Sequence, residues 1–425
     1  MEYKEYELGE LIEYRNEKLL IENVSLENYI STENLLPNRN GKQNAEKLPN
    51  TKSVKKYYEN DILISNIRPY FKKIWQAEIP GGASNDVLIL NSCSNNTTND
   101  YLYYYLSQDK FFDYMTQTAK GTKMPRGDKK AILGYEIKVP NIKHIQNYIV
   151  NLGKNIDKKI ETNKKIIANL EELSQTLFKR WFVDFEFPDE NGNPYKSSGG
   201  EMVDSELGKI PKGWEIVNLN DISLKISKGT TPKKDINTES SSQNIPFLKV
   251  KDLSDFYDIK MENVQYISKN THENLLKRSK LQPQDILLSI AGTIGRIAYV
   301  PTTLKNVNIN QAIGFIRLKN NNYFLYIYNY LKQNDFQNYL TKSVVQAVQA
   351  NISLKVIKEY KVLIPVNNLI NDWDSHIQSL HDKIGIKKNE INQLTQLRDT
   401  LLPKLMSGEI EIPDDIEVNE DELSI

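Results

Sequence analysis

The sequence predicts a mixed α/β (α+β) chain made of two tandem globular domains and two long helices, arranged as a pseudo-twofold internal repeat. Three matches carry this reading. Asp61-Ile62-Leu63-Ile64-Ser65 returns as Asp285-Ile286-Leu287-Leu288-Ser289, an offset of 285 − 61 = 224 residues. The apolar positions Ile160, Ile167, Leu170, Leu173, Thr176 and Leu177 return at that offset as Ile384, Ile391, Leu394, Leu397, Thr400 and Leu401. Between them, Tyr135-Glu136-Ile137-Lys138-Val139-Pro140 matches Tyr360-Lys361-Val362-Leu363-Ile364-Pro365 at 225, a slip of one residue that a surface loop absorbs. A repeat this long is a domain plus a helix, since solenoid units run to about 20 to 50 residues. Two such units offer two similar faces, which suits a ligand with two half-sites.

Residues 1–140 alternate short β-type runs (Asp61 to Ile67, Trp75 to Ile79, Val87 to Leu90) with Asn, Gly and Pro clusters, the pattern of a loop-rich mixed domain. Asp100 to Thr118 reads as helical, its aromatics belonging to the core. Over 141–185 the period becomes that of a long helix. Its seam runs Ile156, Ile160, Asn163, Ile167, Leu170, Ser174, Leu177, Trp181 in alternating steps of four and three, a heptad pattern. Residues 186–212 hold Pro188, Gly192, Pro194, Gly199 and Gly200 and read as a linker. Residues 213–365 repeat the style of the first domain. The second long helix, 366–408, gives Leu380, Ile384, Lys387, Ile391, Leu394, Arg398, Leu401 and Leu405 at the same phases. The two apolar stripes each need a partner, so the helices are expected to pair with each other as a coiled coil. Polar residues interrupt both seams at equivalent places, Asn163 with Lys387 and Ser174 with Arg398, and such interruptions set register. Residues 409–425 form an acidic tail expected to be disordered.

At 425 residues the chain has room for two or three domains, and 39% hydrophobic with 26% charged residues is an ordinary soluble composition. No uncharged stretch reaches about 18 residues, which argues against a membrane span, and the charged first ten residues argue against a signal peptide. The single cysteine, Cys93, rules out an intrachain disulfide and a multi-cysteine metal site and fits a reducing cytoplasm. Net charge is zero, but the last thirteen residues carry six acids and no base, which leaves 0 − (−6) = +6 on the rest. A modestly basic body of this kind is compatible with DNA binding without being evidence for it.

No catalytic constellation is present. The chain has no phosphate-binding loop and no His-Glu-x-x-His, and Gly292-Thr293-Ile294-Gly295 lacks the third glycine of a dinucleotide turn. The histidines His144, His272, His376 and His381 are scattered, and no Asn-Pro-Pro-Tyr run for base methylation occurs. The chain is expected to direct an enzyme rather than to be one. A coiled-coil scaffold or adaptor with no DNA role is the alternative.

Leu177-Phe178-Lys179-Arg180-Trp181-Phe182-Val183-Asp184-Phe185, followed by Ser198-Gly199-Gly200-Glu201-Met202-Val203-Asp204-Ser205-Glu206-Leu207-Gly208-Lys209-Ile210-Pro211-Lys212-Gly213-Trp214, resembles the central region of type I restriction-modification specificity subunits. Leu405-Met406-Ser407-Gly408-Glu409-Ile410 resembles their C-terminal end. The resemblance implies two target-recognition domains, each reading one half of a split double-stranded DNA sequence. It further implies two long antiparallel helices that hold the readers apart, and two docked methyltransferase subunits, joined in some assemblies by motor-nuclease restriction subunits. S-adenosylmethionine, Mg and ATP would then belong to partner subunits and no cofactor or metal to this chain.

Several segments resemble the DNA-facing loops of that family. In the first domain these are Arg68, Tyr70, Lys72 and Lys73 in one loop, and Lys120, Thr122, Lys123 and Arg126 in another. Their counterparts in the second domain are Thr293 and Arg296, and Lys342, Gln346, Gln349 and Asn351. Arg and Lys favour guanine or phosphate while Gln and Asn favour adenine, so the half-sites should differ. The second copy begins its loop Ser343-Val344, where the family often has Gly-Ser or Gly-Thr. Arg180, Trp181 and Phe182 read first as a core plug at a helix end, and the resemblance implies a role as an interface to the methyltransferase.

Overall fold

A computed structural model describes residues 2–236, 244–254, 259–261, 264–345 and 351–413. Gln346, Gln349 and the acidic tail from Asp414 therefore lie outside the described residues. The chain forms two compact units, residues 1–165 with 387–425, and residues 166–386.

In the first unit a four-stranded antiparallel sheet has the order Ile12–Tyr14, Val87–Ser92, Ile62–Ser65, Ile74–Gln76. The strand Ile62–Ser65 is apolar over Ile62-Leu63-Ile64 because both its faces are covered. Ile62 and Ile64 join the helical core with Tyr101, Phe111 and Phe112. Leu63 points the other way, to Tyr57, Trp75 and Ile89. A second sheet orders Lys18–Leu20, Ser53–Tyr57, Gly81–Ala83 and Tyr29–Ile30, its last pair parallel. Tyr3–Glu7 pairs antiparallel with Glu136–Pro140, the strand that leads into the first long helix, Lys143–Phe178. The predicted helix over Asp100 to Thr118 is two helices, Asn99–Leu106 and Asp109–Gln117, and its aromatic face is core as expected.

The second unit repeats this plan, except that its second sheet orders three described strands, Gln265–Ser268, Asn244–Leu248 and Asn308–Ile309. Its main sheet orders Ser223–Lys228, Ile313–Leu318, Ile286–Ser289 and Ile297–Tyr299. Again the central strand divides its side chains, Ile286 and Leu288 to one core and Leu287 to the other. Glu215–Asn218 pairs with Lys361–Ile364, which leads into the second long helix, Asn367–Ser407.

The polar ends of the repeated strand explain why it recurs. Asp61 accepts from the Tyr58 backbone N–H (2.8 Å) and from Arg15 (2.7 Å). Asp285 accepts from Gln282 N–H (2.7 Å) and, through both oxygens, from Arg317 (2.7 Å each). Each aspartate thus closes the turn that starts the strand, and an arginine neutralises it in the core. The arginine comes from different places in the two copies, Arg15 just after the strand Ile12–Tyr14 and Arg317 within Ile313–Leu318. Asp61 is met by one guanidinium nitrogen only, and burial raises its pKa above the ordinary carboxylate value despite that partner.

The helix seam is buried or half-buried at each of the sixteen positions read from sequence. In the first unit Ile156 and Ile160 pack on Leu394 and Ile391, and Lys159 meets Glu390 (3.9 Å), so the two segments run antiparallel. In the second unit Phe178 and Trp181 pack on Trp373. The compact units do not follow chain order. Leu402, Leu405 and Met406, at the end of the second helix, complete the core of the first domain. Phe178, Trp181 and Phe182, at the end of the first, complete the core of the second.

The segment 186–212, read as a linker, is folded into the second unit. Phe187 stacks on Tyr195 (4.6 Å between centroids) and on Trp214 (5.6 Å). Met202–Ser205 and Gly208–Pro211 form a hairpin. The aromatic residues, not the glycines and prolines, decide its structure, because they bury more area than the chain entropy can oppose.

Candidate nucleic-acid interface

In the first domain the loop after Ile62–Ser65 is set by its own backbone. Ser65 donates its hydroxyl to the Ile67 carbonyl (3.1 Å). A single turn, Pro69–Phe71, is flanked by Arg68 (φ 50°) and Lys72 (φ 52°), both left-handed. That conformation is strained for residues with a Cβ. The loop is stitched to the segment 120–127. Arg68 N–H donates to the Pro125 carbonyl (2.8 Å), Gly127 N–H donates to Asn66 (3.0 Å), and Ile67 bridges Arg126. Lys120 and Arg126 exchange backbone hydrogen bonds (2.8 and 2.9 Å) and close the second loop.

This brings Arg68, Tyr70, Lys120, Thr122, Lys123 and Arg126 onto two adjoining loops. Tyr70 is exposed and tilts against exposed Phe71 at 4.8 Å, and exposed Met124 stands beside Lys123. Phe71 and Met124 had no charge to draw attention in the sequence. The buried Nε of Arg68 has no partner among the described residues. Lys120 pairs with Asp128 (2.5 Å) and Arg126 with Asp86 (3.2 Å). Two of the expected cations are turned to the protein itself. Lys72 pairs with Asp109 (2.7 Å), which Arg39 also meets (3.1 Å). Burial pushes the Asp109 carboxyl up, but Lys72 and Arg39 outweigh it and hold it below the ordinary value. Lys73 donates to the Thr32 carbonyl (2.5 Å), and burial lowers its pKa.

The second domain repeats the first of these loops and the stitching beside it, residues 346–350 lying outside the described residues. Ser289 donates to the Thr293 carbonyl (2.6 Å) and accepts from Arg296 N–H (2.8 Å). Gly292 (φ 74°) and Gly295 (φ 91°) supply the left-handed positions, and a Cβ on Gly295 would strike Gln337. Ala291 bridges Asn351, and Ile352 N–H donates to Ile290 (2.8 Å), the counterpart of Gly127 to Asn66. The next residue caps a helix in both copies, Asp128 for Lys129–Leu133 and Ser353 for Leu354–Glu359. Thr293 and Asn351 are exposed beside this stitching, and Lys342 is exposed near the end of the helix Asn334–Val345. The Arg296 guanidinium turns inward to the carbonyls of Val250 (3.4 Å) and Leu253 (3.1 Å), where it ties a loop down.

Two domains with one main-sheet order and a pair of long helices sharing a seam are what the sequence resemblance implied, and comparison with known proteins decides the family. Residues 1–172 and 211–396 match the family described as the type I restriction modification DNA specificity domain. The chain belongs to that family. It is 28% identical over 324 residues to the type I restriction enzyme MjaIX specificity subunit of Methanocaldococcus jannaschii, covering 74% of this chain and 69% of that one. It is 24% identical over 476 residues to the HindI specificity subunit of Haemophilus influenzae, covering 96% and 100%. The crystal structure of a type I restriction-modification S subunit from M. genitalium shares the fold, with a TM-score of 0.52, 16% identity and 97% of each chain covered.

As a specificity subunit the chain is a non-catalytic recognition component of a restriction-modification system. Among the described residues no helix is long and apolar enough to cross a membrane, and no group of three or more His, Cys, Asp or Glu could hold a metal. His272 is buried against Asn308, and His376 is exposed with Nδ1 on the Asp372 carbonyl (2.7 Å). Trp181 and Phe182 are buried among Phe178, Tyr326 and Trp373, which makes them the core plug expected at the helix end, while Arg180 is exposed.

Proposed function

We propose that each stitched loop pair faces one half of a split DNA site. The first is read through Arg68, Tyr70, Lys123 and Arg126, the second through Thr293, Asn351 and the residues around them. The observation that carries this reading is that both copies preserve the same backbone stitching, Gly127 to Asn66 and Ile352 to Ile290, while the side chains displayed on it differ. A fixed frame with variable display is what two readers of different sequences need.

The long helices, 36 and 41 residues, are about 54 and 62 Å long at about 1.5 Å per residue. Readers on one DNA face need to stand about one helical turn, or 34 Å, apart, and rigid helices set such a distance where a flexible linker cannot. We further infer that two methyltransferase subunits bind the chain, with S-adenosylmethionine on them and Mg and ATP on any motor-nuclease subunits, and that the complex works in the cytoplasm. The test is co-expression with a type I methyltransferase subunit in a methylation-free host, followed by mapping of modified adenines across the genome. A split motif of two short halves with a fixed gap, dependent on this chain, is expected. A soluble complex without new methylation would return the chain to the scaffold reading.

A further inference from the structure

Strands Lys18–Leu20 and Ser53–Tyr57 place Lys18 directly opposite Lys55 in an antiparallel pair. Like charges in that position destabilise a sheet. The arrangement is not relieved nearby. Lys55 is buried, its Nζ held by the carbonyls of Asn85 (3.0 Å) and Val87 (2.8 Å). Glu17, next in the chain to Lys18, is turned to Tyr58 (2.8 Å) and Lys56 (4.0 Å). Lys18 and Lys129 are exposed and form no ion pair among the described residues. Asp86, the carboxylate that acts on Lys55, is already engaged by Arg126 at 3.2 Å. Burial lowers the Lys55 pKa to about 8, and the charges of Lys129 and Lys18 add to that against Asp86, so the cations do sense one another.

The cluster adjoins the stitched loops. Asn66 N–H donates to the Asp86 carbonyl (2.9 Å), and Asn66 in turn accepts from Gly127. Lys129 stands over the ring of Tyr14 (5.8 Å), four residues before Lys18, while Asp86 is taken up by Arg126 and Asp128 by Lys120. We propose that Lys18 and Lys129, with the buried charge of Lys55 behind them, form a seat for a backbone phosphate of the duplex, extending the first reader beyond its two loops. The proposal rests on the reading that those loops face DNA. Uncompensated lysines next to a recognition surface are what backbone contacts require, since phosphate neutralisation supplies affinity and register without reading sequence.

The test uses the full chain in complex with its methyltransferase partner and two duplexes, one bearing the methylated motif and one unrelated. Lys18→Ala and Lys129→Ala should each weaken binding to both duplexes by the same factor, about 3- to 10-fold. Each should also lower the slope of log K against log salt by about 1. Lys18→Glu gives Lys55 a partner, so it should raise the thermal midpoint while weakening DNA binding further, a pair of opposite signs that misfolding cannot produce. An unchanged salt slope in folded variants would overturn the seat, and so would a loss confined to the motif duplex, which would make these base contacts. If the wild-type complex bound neither duplex, the reading of the loops themselves would fall.

Discussion

The two units share main-sheet order, strand caps and loop stitching, yet they join their long helices with different chemistry. In the first unit Arg398 donates to Asp157 (2.7 Å) on the opposing helix, and Tyr104 donates to the other oxygen of that carboxylate (2.9 Å). Burial works against the Arg398 charge, but Asp157 and Asp399 outweigh it and raise its pKa. In the second unit the equivalents are Ser174 (398 − 224) and Asn329 (104 + 225), which hydrogen-bond at 3.3 Å with Gln175 added at 3.1 Å. There a buried ion pair, Lys332 with Glu171 (2.6 Å), ties the domain to the helix instead. The lesson is that polar interruptions of a seam fix register through whichever domain residues lie beside them, so the same phase in two copies can carry an ion pair or an amide pair.

The largest effects should come from the helix ends. Phe182→Ala removes a fully buried ring and should destabilise the second unit by about 3 to 5 kcal/mol, and Met406→Ala should cost the first about 2 to 5. Hydrogen exchange on each variant should show lost protection in residues 166–386 for Phe182→Ala and in 1–165 with 387–413 for Met406→Ala. The reverse assignment would show that each domain is completed by its own helix rather than by the end of the other.

The joints come next. Lys332→Met leaves Glu171 buried without its partner and should cost about 3 kcal/mol, most of it recovered in the double variant with Glu171→Gln. Arg398→Met should cost less, about 1 to 2 kcal/mol, because Arg398 and Asp157 keep some solvent contact and water screens the pair. Denaturant melts of the four proteins rank these costs. Equal losses in both joints would mean that burial does not distinguish them.

At the recognition loops the comparison concerns sequence rather than stability. Lys123→Ala should weaken the first half-site by about 1 to 3 kcal/mol if it meets a base and leave the second untouched, while Asn351→Ala should do the converse. Competition binding with each half-site scrambled in turn separates the two. A uniform loss on every sequence would move the residue to the phosphate backbone.

Much of this was legible in the sequence. The repeat at 224 located the central strands, because a strand buried on both faces must be apolar throughout and its ends need a turn-closing aspartate and a loop-holding serine. The heptad seam was legible for the same reason of fixed period. The crossing of helix ends between domains was not, since which core Met406 enters is decided by contacts far apart in the chain. Nor were the inward turns of Lys73 and Arg296, whose acceptors are backbone carbonyls that leave no residue-type signal. Lys18 and Lys55 escaped notice because a cross-strand pair 37 residues apart (55 − 18) becomes visible only once register is known.

The smallest expected effect contrasts equivalent faces of the two long helices. In the first unit Val150 is buried on the helix, and 224 residues on, Asp374 stands at the corresponding place in the second. One Asp374 oxygen is buried without a partner among the described residues, and burial raises its pKa from 3.8 to about 6. A carboxyl whose pKa rises on folding favours the folded state while it is protonated. Its contribution is therefore full below pH 3.8 and lost as pH climbs through about 6. Asp374→Asn removes the charge that must otherwise be buried at neutral pH, so it should stabilise the second unit at pH 7.5 by about 1 kcal/mol once solvent screening is allowed for. At pH 4, where the wild-type group is already largely neutral, the gain should shrink toward zero. Thermal melts of both proteins at the two pH values measure this directly, and a gain of equal size at pH 4 would trace the effect to packing rather than to charge.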